Sequence, residues 1–166
     1  MKKCTSLFLP ATLIILFTLA NTDRAYGQES SSLVHIESLN AVIDFRKHDP
    51  KEVISYLNYV HGTFMGAKKI APGSHDFVIV FSGPVVKHLS TNRSGIPGEE
   101  HELLENIENL IAAMTKDGIR MEICLFATKL SGIETETILP EIDQVENAWL
   151  SLIVYQAKDY SLLPLY

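Results

Sequence analysis

Cys124 is the residue of this sequence whose side chain is best suited to covalent chemistry. It lies within residues 120–133, RMEICLFATKLSGI, at the end of a short apolar run. A thiolate is a strong nucleophile, whereas a cysteine buried among apolar side chains is inert. Two alternatives therefore stand: a reactive thiol at the edge of a sheet, or a small buried hydrophobic residue, an environment common for free cysteine. The residues alone leave both open.

His88 is a second candidate, because it follows the second predicted strand and could approach Cys124 if the two strands are neighbours. A neighbouring imidazole acts as a base and raises the fraction of thiolate. The alternative is a solvated helix residue beside Lys87. No CxxC, HxxxH or closely spaced carboxylate pattern meets the requirements of a metal site, and no phosphate-binding glycine loop is present. The sequence therefore predicts neither a metal nor a cofactor.

Apolar runs alternate with helical patterns and predict a single α/β domain over residues 39–166, with a mainly parallel sheet flanked by helices. The second predicted strand, FVIVF, has no polar residue, which is typical of a strand covered on both faces. The predicted strands cover residues 40–45, 77–81, 119–125, 142–145 and 160–163.

The predicted helices have recognisable ends. Asp49 caps the first helix, Pro50 has the required φ, and Glu52 stands three residues after the cap. The helix predicted for residues 99–116 ends at Gly118, a residue suited to a left-handed cap. Its predicted buried face consists of Leu103, Ile107, Leu110, Ile111 and Met114.

These elements place Cys124 at the carboxyl end of the third strand. Arg120, Glu122 and Cys124 point to one face of that strand, and Met121 and Ile123 point to the other. Ligands of open α/β sheets bind beyond the carboxyl ends of the strands. A helix is predicted to begin directly after Cys124, and its positive end would stabilise a thiolate.

Several segments resemble the DsrE/DsrF-like family, the sulfur-relay proteins of sulfur-oxidising bacteria and their relatives. ICLFATKLSGI is similar to the family's cysteine, short helix and Gly-Ile, and FVIVFSGPVVKHL to the second strand and turn of its DsrE-like branch. HDPKEVISYLNYV and ILPEIDQVENAWLSLIVYQAKDYSLL extend the similarity over residues 40–166. The resemblance implies a compact flavodoxin-like fold, assembly into homotrimers or larger rings such as hexamers, and a cysteine that carries a persulfide between partner proteins.

Residue by residue, Cys124 matches the family's cysteine, Ala127 the small residue behind it, and Gly132 the glycine that ends the short helix. Two positions depart from the family. Ser82 stands where many DsrE-like members have a histidine, which removes a base or ligand near the site. Asp159 stands where a glycine usually precedes the aromatic residue, which predicts a distorted turn.

The N-terminal residues predict export. Lys2 and Lys3 precede the apolar run LFLPATLIILFTLA, and the small residues of AYG predict signal-peptidase cleavage before Gln28. An uncleaved N-terminal anchor is the alternative. Residues 1–27 would be a signal peptide and residues 28–38 a flexible lead-in, and the mature protein would be periplasmic or secreted.

Charge limits the possible partners. The chain has 14 basic and 20 acidic residues; removal of residues 1–27, with three basic residues and one acidic, would leave 11 and 19, a net charge near −8. No basic stripe remains, which argues against nucleic acid and against a membrane after processing. Leu150 and Val154, on a helix predicted for residues 148–158, offer apolar area that predicts a homo-oligomer, a trimer or hexamer by the resemblance.

Two functions follow from these observations. In the first, the chain is an exported sulfur carrier or relay protein in which Cys124 exchanges sulfur with donor or acceptor proteins. In the second, it is a non-catalytic oligomeric binding or scaffold module with a buried structural cysteine. No resolving cysteine accompanies Cys124, and the first basic residue that follows it in the sequence is Lys129. These absences favour a carrier over a self-contained oxidoreductase, which would need a second thiol, and leave open whether the protein is an enzyme.

Overall fold

The computed structural model describes residues 36–166, and its strands form one five-stranded sheet. The strands are β1 (Leu39–Phe45), β2 (His75–Phe81), β3 (Arg120–Cys124), β4 (Asp143–Val145) and β5 (Ser161–Leu165). All pairs are parallel, in the order β4-β3-β2-β1-β5. The predicted α/β domain with a parallel sheet and a flavodoxin-like arrangement is therefore confirmed.

The predicted signal peptide, the cleavage before Gln28 and most of the lead-in lie outside the described residues and stay predictions. Within residues 36–166, no helix is long and apolar enough to cross a membrane.

Four α-helices connect the strands: α1 (Pro50–Ile70), α2 (His101–Asp117), α3 (Leu125–Leu130) and α4 (Ala148–Gln156). The predicted start of α1 is confirmed, because the Asp49 carboxylate accepts hydrogen bonds from the backbone N–H groups of Lys51 and Glu52 at 2.9 and 3.0 Å. A 3-10 helix, Gly83–His88, follows β2.

The buried face of α2 differs from the prediction. Leu104 is fully buried, whereas Leu103 and Leu110 are only half-buried. The buried positions are 104, 107, 111 and 114, which are three or four residues apart and therefore form one line along the helix. Leu103 and Leu110 flank that line. The predicted end is confirmed, because Gly118 adopts a left-handed φ of 106° that glycine takes without strain.

The helices cover the two faces of the sheet unequally. Phe64 of α1 packs against Phe77 of β2 with ring centroids 5.5 Å apart, so α1 lies on the face of Phe77. Helix α2 packs beside α1. The opposite face is covered by α4, whose Tyr155 hydroxyl donates to Glu122 of β3.

Strand order explains this division. The chain passes from β1 to β2 to β3 in one direction along the sheet, and right-handed crossovers then place α1 and α2 on the same face. The connection from β4 to β5 returns across the whole sheet, so α4 lies on the other face. The connections therefore change from one face of the sheet to the other between β3 and β4. In open α/β sheets, a crevice forms at the carboxyl ends of two such strands.

Candidate functional site

Cys124 is the last residue of β3 and is 5% exposed. Its Sγ atom accepts a hydrogen bond from the backbone N–H of Ala148, with a nitrogen–sulfur distance of 3.5 Å. Ala148 is the first residue of α4, and Asn147 caps that helix through a hydrogen bond from Trp149 N to its side-chain oxygen at 2.9 Å. The thiol therefore meets the positive end of α4.

This contact differs from the predicted one. A helix does begin directly after Cys124, but α3 has only six residues and the Cys124 side chain makes no capping hydrogen bond to it. The backbone oxygen of Cys124 instead accepts from the Thr128 hydroxyl at 2.8 Å, a buried contact that holds α3 against the end of β3. The group that donates to the sulfur is the backbone N–H of Ala148, which begins α4 and lies 24 residues after Cys124.

Arg46 and Ser82 occupy the same row of the sheet as Cys124. They directly follow β1 and β2, and the register of the three strands aligns both with Cys124 at the carboxyl edge. Residue alternation directs this row to the α4 face. Ser82 is 6% exposed, and its hydroxyl has no hydrogen-bond partner among residues 36–166. The position at which the resemblance implies a histidine in many members therefore holds a buried hydroxyl without a partner in the described part of the chain.

Arg46 brings a positive charge to this edge. Its Nε donates to Asp44 Oδ1 at 2.8 Å, and its guanidinium lies 5.3 Å from the centre of the Tyr166 ring. The hydrogen bond to Asp44 raises the pKa of Arg46 most, and the nearby Tyr166 and Cys124 add smaller contributions of the same sign. Arg46 is therefore a basic residue near the thiol that lies far from it in the sequence. Arg46 stands directly after β1, and its place at a strand's carboxyl end was the signal that could have identified it.

His88 contacts His48 and not Cys124, the neighbour that the sequence suggested. Its Nε2 atom lies 2.7 Å from the backbone oxygen of His48, and its ring centre lies 6.4 Å from that of His48. The side chain is 9% exposed, so it is not the solvated helix residue of the alternative interpretation either. No hydrogen bond joins His88 to Cys124 in the described part of the chain.

A second polar group lies on the same face, nearer the amino ends of the strands. Arg120 donates to Asp76 at 2.6 Å and to the Tyr155 hydroxyl at 3.1 Å, and Tyr155 donates to Glu122 Oε1 at 2.6 Å. Burial, together with the hydrogen bond to Glu122, raises the pKa of Tyr155 to about 12. Burial alone would raise the pKa of Asp76, but hydrogen bonds from Arg120 and Tyr160 hold it below its usual range.

The remaining positions matched to the family have defined conformations. Ala127 is buried, and Gly132 adopts a left-handed φ of 69° after the end of α3. Asp159 adopts a φ of 64°, the conformation that a glycine at this position would take. Among residues 36–166, no group of three or more His, Cys, Asp and Glu side chains is arranged to hold a metal ion.

No protein-family model matches the chain. No curated protein matches it in sequence either. Solved structures do match. MTH1491 from Methanobacterium thermoautotrophicum, a protein of unknown function, superposes with a TM-score of 0.60 at 15% identity, over 76% of this chain and 99% of its own.

Two further structures match in the same way. BT1422 from Bacteroides thetaiotaomicron, a conserved protein of unknown function, has a TM-score of 0.56 at 15% identity, over 78% of this chain and 95% of its own. The ychN protein from E. coli has a TM-score of 0.51 at 14% identity, over 77% of this chain and 99% of its own. Identities this low show the fold alone, and that fold is of the DsrE-like, ychN type.

Proposed function

We propose that this protein is an exported sulfur carrier of the DsrE-like type, in which Cys124 accepts a sulfur atom from one partner protein and passes it to another. The observation that carries the proposal is the hydrogen bond from Ala148 N–H to Cys124 Sγ at the start of α4. A backbone donor at the positive end of a helix stabilises a thiolate or a persulfide anion more than a neutral thiol. Arg46 adds a positive charge at the same edge.

The transfer requires no oxidant. The Cys124 thiolate attacks the outer sulfur of a donor persulfide, R–S–SH, and a new S–S bond forms to Sγ. The S–S bond of the donor breaks, and R–S⁻ leaves with the electron pair, so that Cys124 becomes a persulfide. Attack by an acceptor thiolate on the outer sulfur reverses these steps. One cysteine is sufficient for this exchange, which agrees with Cys124 being the free cysteine of residues 36–166.

Burial of the thiol sets a condition on the exchange. Because Cys124 is 5% exposed, a donor reaches Sγ only when the segment around α3 and the start of α4 opens. We therefore expect reagents to react with Cys124 more slowly than with an unfolded cysteine, but under conditions in which the domain remains folded.

Mass spectrometry of the full-length chain tests the proposal. In Cys4→Ser, Cys124 is the only thiol, and incubation with polysulfide followed by removal of excess reagent should add whole sulfur atoms to the folded protein. In Cys124→Ser, Cys4 remains as an internal control and the peptide that contains position 124 should gain none. Sulfur uptake at Cys124 only in denaturant would contradict the carrier function.

The second candidate function is an oligomeric binding or scaffold module with a structural cysteine. The 5% exposure of Cys124 and the buried Thr128–Cys124 hydrogen bond favour it. Iodoacetamide alkylation of Cys4→Ser across a urea titration separates the two functions. A scaffold cysteine should react only in proportion to the globally unfolded fraction, whereas a carrier cysteine should react well below the unfolding transition.

Both functions include assembly with further copies of the same chain. Support comes from α4, whose outer surface exposes Trp149, Leu150, Ile153 and Val154, and from the exposed side chains of Phe126 and Leu130 on α3. Apolar area of this kind on a small domain marks an interaction surface. We propose that these residues pack against other protomers in a trimer or hexamer.

A further inference from the structure

Arg46 has hydrogen-bond donors that the fold does not use, at the edge of the sheet that carries Cys124. Its Nε donates to Asp44 at 2.8 Å, and neither terminal nitrogen has a hydrogen-bond partner within residues 36–166. The side chain is 32% exposed, so part of it is open to solvent. Asp44 and the Tyr166 ring, 5.3 Å away, hold the guanidinium in place. A guanidinium held at Nε in this way can bind an oxyanion through its terminal nitrogens.

The register of the sheet sets the separation between Arg46 and Cys124. The two residues are aligned across β2, with Ser82 between them. Neighbouring strands are about 4.8 Å apart, so the backbones of residues 46 and 124 are separated by roughly 10 Å. Because serine is small, no large side chain of β2 stands between the guanidinium and the thiol. The pKa of Arg46 is raised mainly by Asp44, and Cys124 is close enough to add a smaller contribution.

A thiosulfate ion has the length and the charge to join these two groups. With an oxygen hydrogen-bonded to Arg46 and its outer sulfur in line with Sγ at the distance of attack, the ion bridges about 9 Å. A thiolate and thiosulfate are both anions, and the chain has a net charge of −6, so the two reactants repel each other. A cation at the same edge of the sheet, as Arg46 is, offsets this repulsion.

We propose that Cys124 takes sulfur directly from a small thiosulfonate anion, with thiosulfate as the simplest member, whose oxygens bind the terminal nitrogens of Arg46. The inference rests on the proposed function, because it requires Cys124 to accept sulfur, and it adds a small-molecule donor to the partner proteins. The ion binds first to Arg46, which is already partly exposed, and reaches Sγ by the local opening that the carrier function also requires.

The transfer needs no oxidant. The Cys124 thiolate attacks the outer sulfur of thiosulfate, S–SO₃²⁻, and a new S–S bond forms to Sγ. The bond between the two sulfur atoms of thiosulfate breaks, and its electron pair leaves on sulfite, SO₃²⁻. The cysteine sulfur is thereby oxidised to a persulfide, and the sulfonate sulfur is reduced to sulfite. Because negative charge moves onto the departing sulfite, Arg46 stabilises the transition state as well as the bound ion.

Two reagents of similar size separate binding of the anion from reactivity of the thiol. Thiosulfate is a dianion, whereas methyl methanethiosulfonate is neutral and transfers its S–CH₃ group to the same thiolate with loss of methanesulfinate. With thiosulfate, the full-length Cys4→Ser chain should gain one sulfur at Cys124 for each sulfite released, as mass spectrometry and a sulfite assay would show. Sulfate, an oxyanion without a transferable sulfur, should slow this reaction and leave the reaction of the neutral reagent unchanged.

Substitutions at position 46 test the role of the guanidinium. Arg46→Gln should slow the reaction with thiosulfate about tenfold or more beyond its effect on the neutral reagent, the difference expected for a hydrogen bond between charged groups. Arg46→Lys keeps the charge and loses the fork of donors, so it should recover part of the thiosulfate rate. Lys129→Gln, which removes an exposed charge, is the matched control and should leave the ratio of the two rates within about twofold. Circular dichroism would verify the fold of each variant, and competition by sulfate tests the anion site without any change at position 46.

The outcomes distinguish this inference from the proposed function. Sulfur uptake at Cys124 from polysulfide but not from thiosulfate would overturn the thiosulfonate donor and leave the carrier function intact. Equal slowing of both reagents by Arg46→Gln would overturn the anion site, because Arg46 would then act on the thiolate alone. A thiosulfate reaction that sulfate does not slow would overturn it as well. Uptake from neither donor by the folded chain would refute both proposals.

Discussion

The two faces of the sheet differ in what they bury. The face under α1 and α2 has apolar side chains at every central position of β1, β2 and β3. The face under α4 instead carries acidic, basic, hydroxyl or thiol groups on these strands or directly after them. The apolar face consists of Ala41, Ile43, Phe45, Phe77, Ile79, Phe81, Met121 and Ile123. The polar positions of the other face are Asp44, Asp76, Ser82, Arg120, Glu122 and Cys124.

Because of this difference, the apolar face mainly stabilises the fold, and the polar face carries the groups that could take part in chemistry. Apolar burial is non-directional and contributes free energy in proportion to area, so a uniform face is the most efficient support for the fold. Polar groups gain stability only when each is paired, and among residues 36–166 the buried Ser82 Oγ and Glu122 Oε2 have no hydrogen-bond partner. On its outer surface, α4 also exposes the large apolar side chains of Trp149 and Ile153.

The largest effect should come from the apolar face. Phe64→Ala removes a side chain that is 2% exposed and packs edge-on against Phe77. The free energy of unfolding should fall by about 3–5 kcal/mol, measured by urea denaturation. Tyr59→Ala on the same helix, where the side chain is 73% exposed, should cost less than about 0.5 kcal/mol. Equal costs for the two variants would contradict the burial of Phe64 against the apolar face of the sheet.

The next effect concerns the outer surface of α4. Ile153→Glu places a charge on the proposed contact between protomers and should weaken association by about 2 kcal/mol or more, with a lower mass in light scattering at micromolar concentration. Tyr59→Glu, which places the same charge on the exposed surface of α1, is the matched control and should leave the mass unchanged. A wild-type chain that is monomeric at that concentration would refute the proposed assembly.

Within the polar face, Tyr155→Phe removes the donor to Glu122 Oε1 and should reduce the free energy of unfolding by about 1–2 kcal/mol at neutral pH. Because the pKa of Tyr155 is raised to about 12, its hydrogen bond stabilises the fold fully below the usual tyrosine pKa and is lost as pH rises towards 12.

A phenolate absorbance titration checks this pH dependence. Tyr155→Phe should remove the component that ionises last, whereas Tyr59→Phe, which alters an exposed tyrosine, should remove one that ionises in the ordinary range. Retention of the last component in Tyr155→Phe would assign the raised pKa to another tyrosine.

The smallest effect should be on the rate at which Cys124 is alkylated, and it compares the basic residues Arg46 and Lys129. Arg46→Gln should slow alkylation of Cys124 at neutral pH about two- to fivefold, because the charge that favours the thiolate is lost. Lys129→Gln removes an exposed charge from α3 and should change the rate less. Measurement in the Cys4→Ser chain keeps Cys124 the only thiol. A larger effect of Lys129→Gln would show that closeness in sequence, and not the row across the strands, determines the electrostatics of the thiol.

Local patterns predicted most of the elements because the interactions that define them span a few residues. The Asp49 cap, the Gly118 termination and the alternation of Arg120, Glu122 and Cys124 all agree with the structure. The inaccurate predictions concern side chains whose burial depends on how neighbouring elements pack. Leu104 is buried in place of Leu103 because the side of α2 that meets the sheet and α1 decides which line of apolar residues is covered.

The sequence by itself determined an α/β chain with a cysteine at the carboxyl end of a strand, on a face that also carries Arg120 and Glu122. Only the tertiary structure decided what surrounds that cysteine. Strand order sends α4 across the polar face, which brings Ala148 N–H to the sulfur and the Tyr155 hydroxyl to Glu122. Register across β1, β2 and β3 aligns Arg46 with Cys124. Contacts of this kind join residues far apart in the chain, so they depend on topology and register and not on local sequence preference.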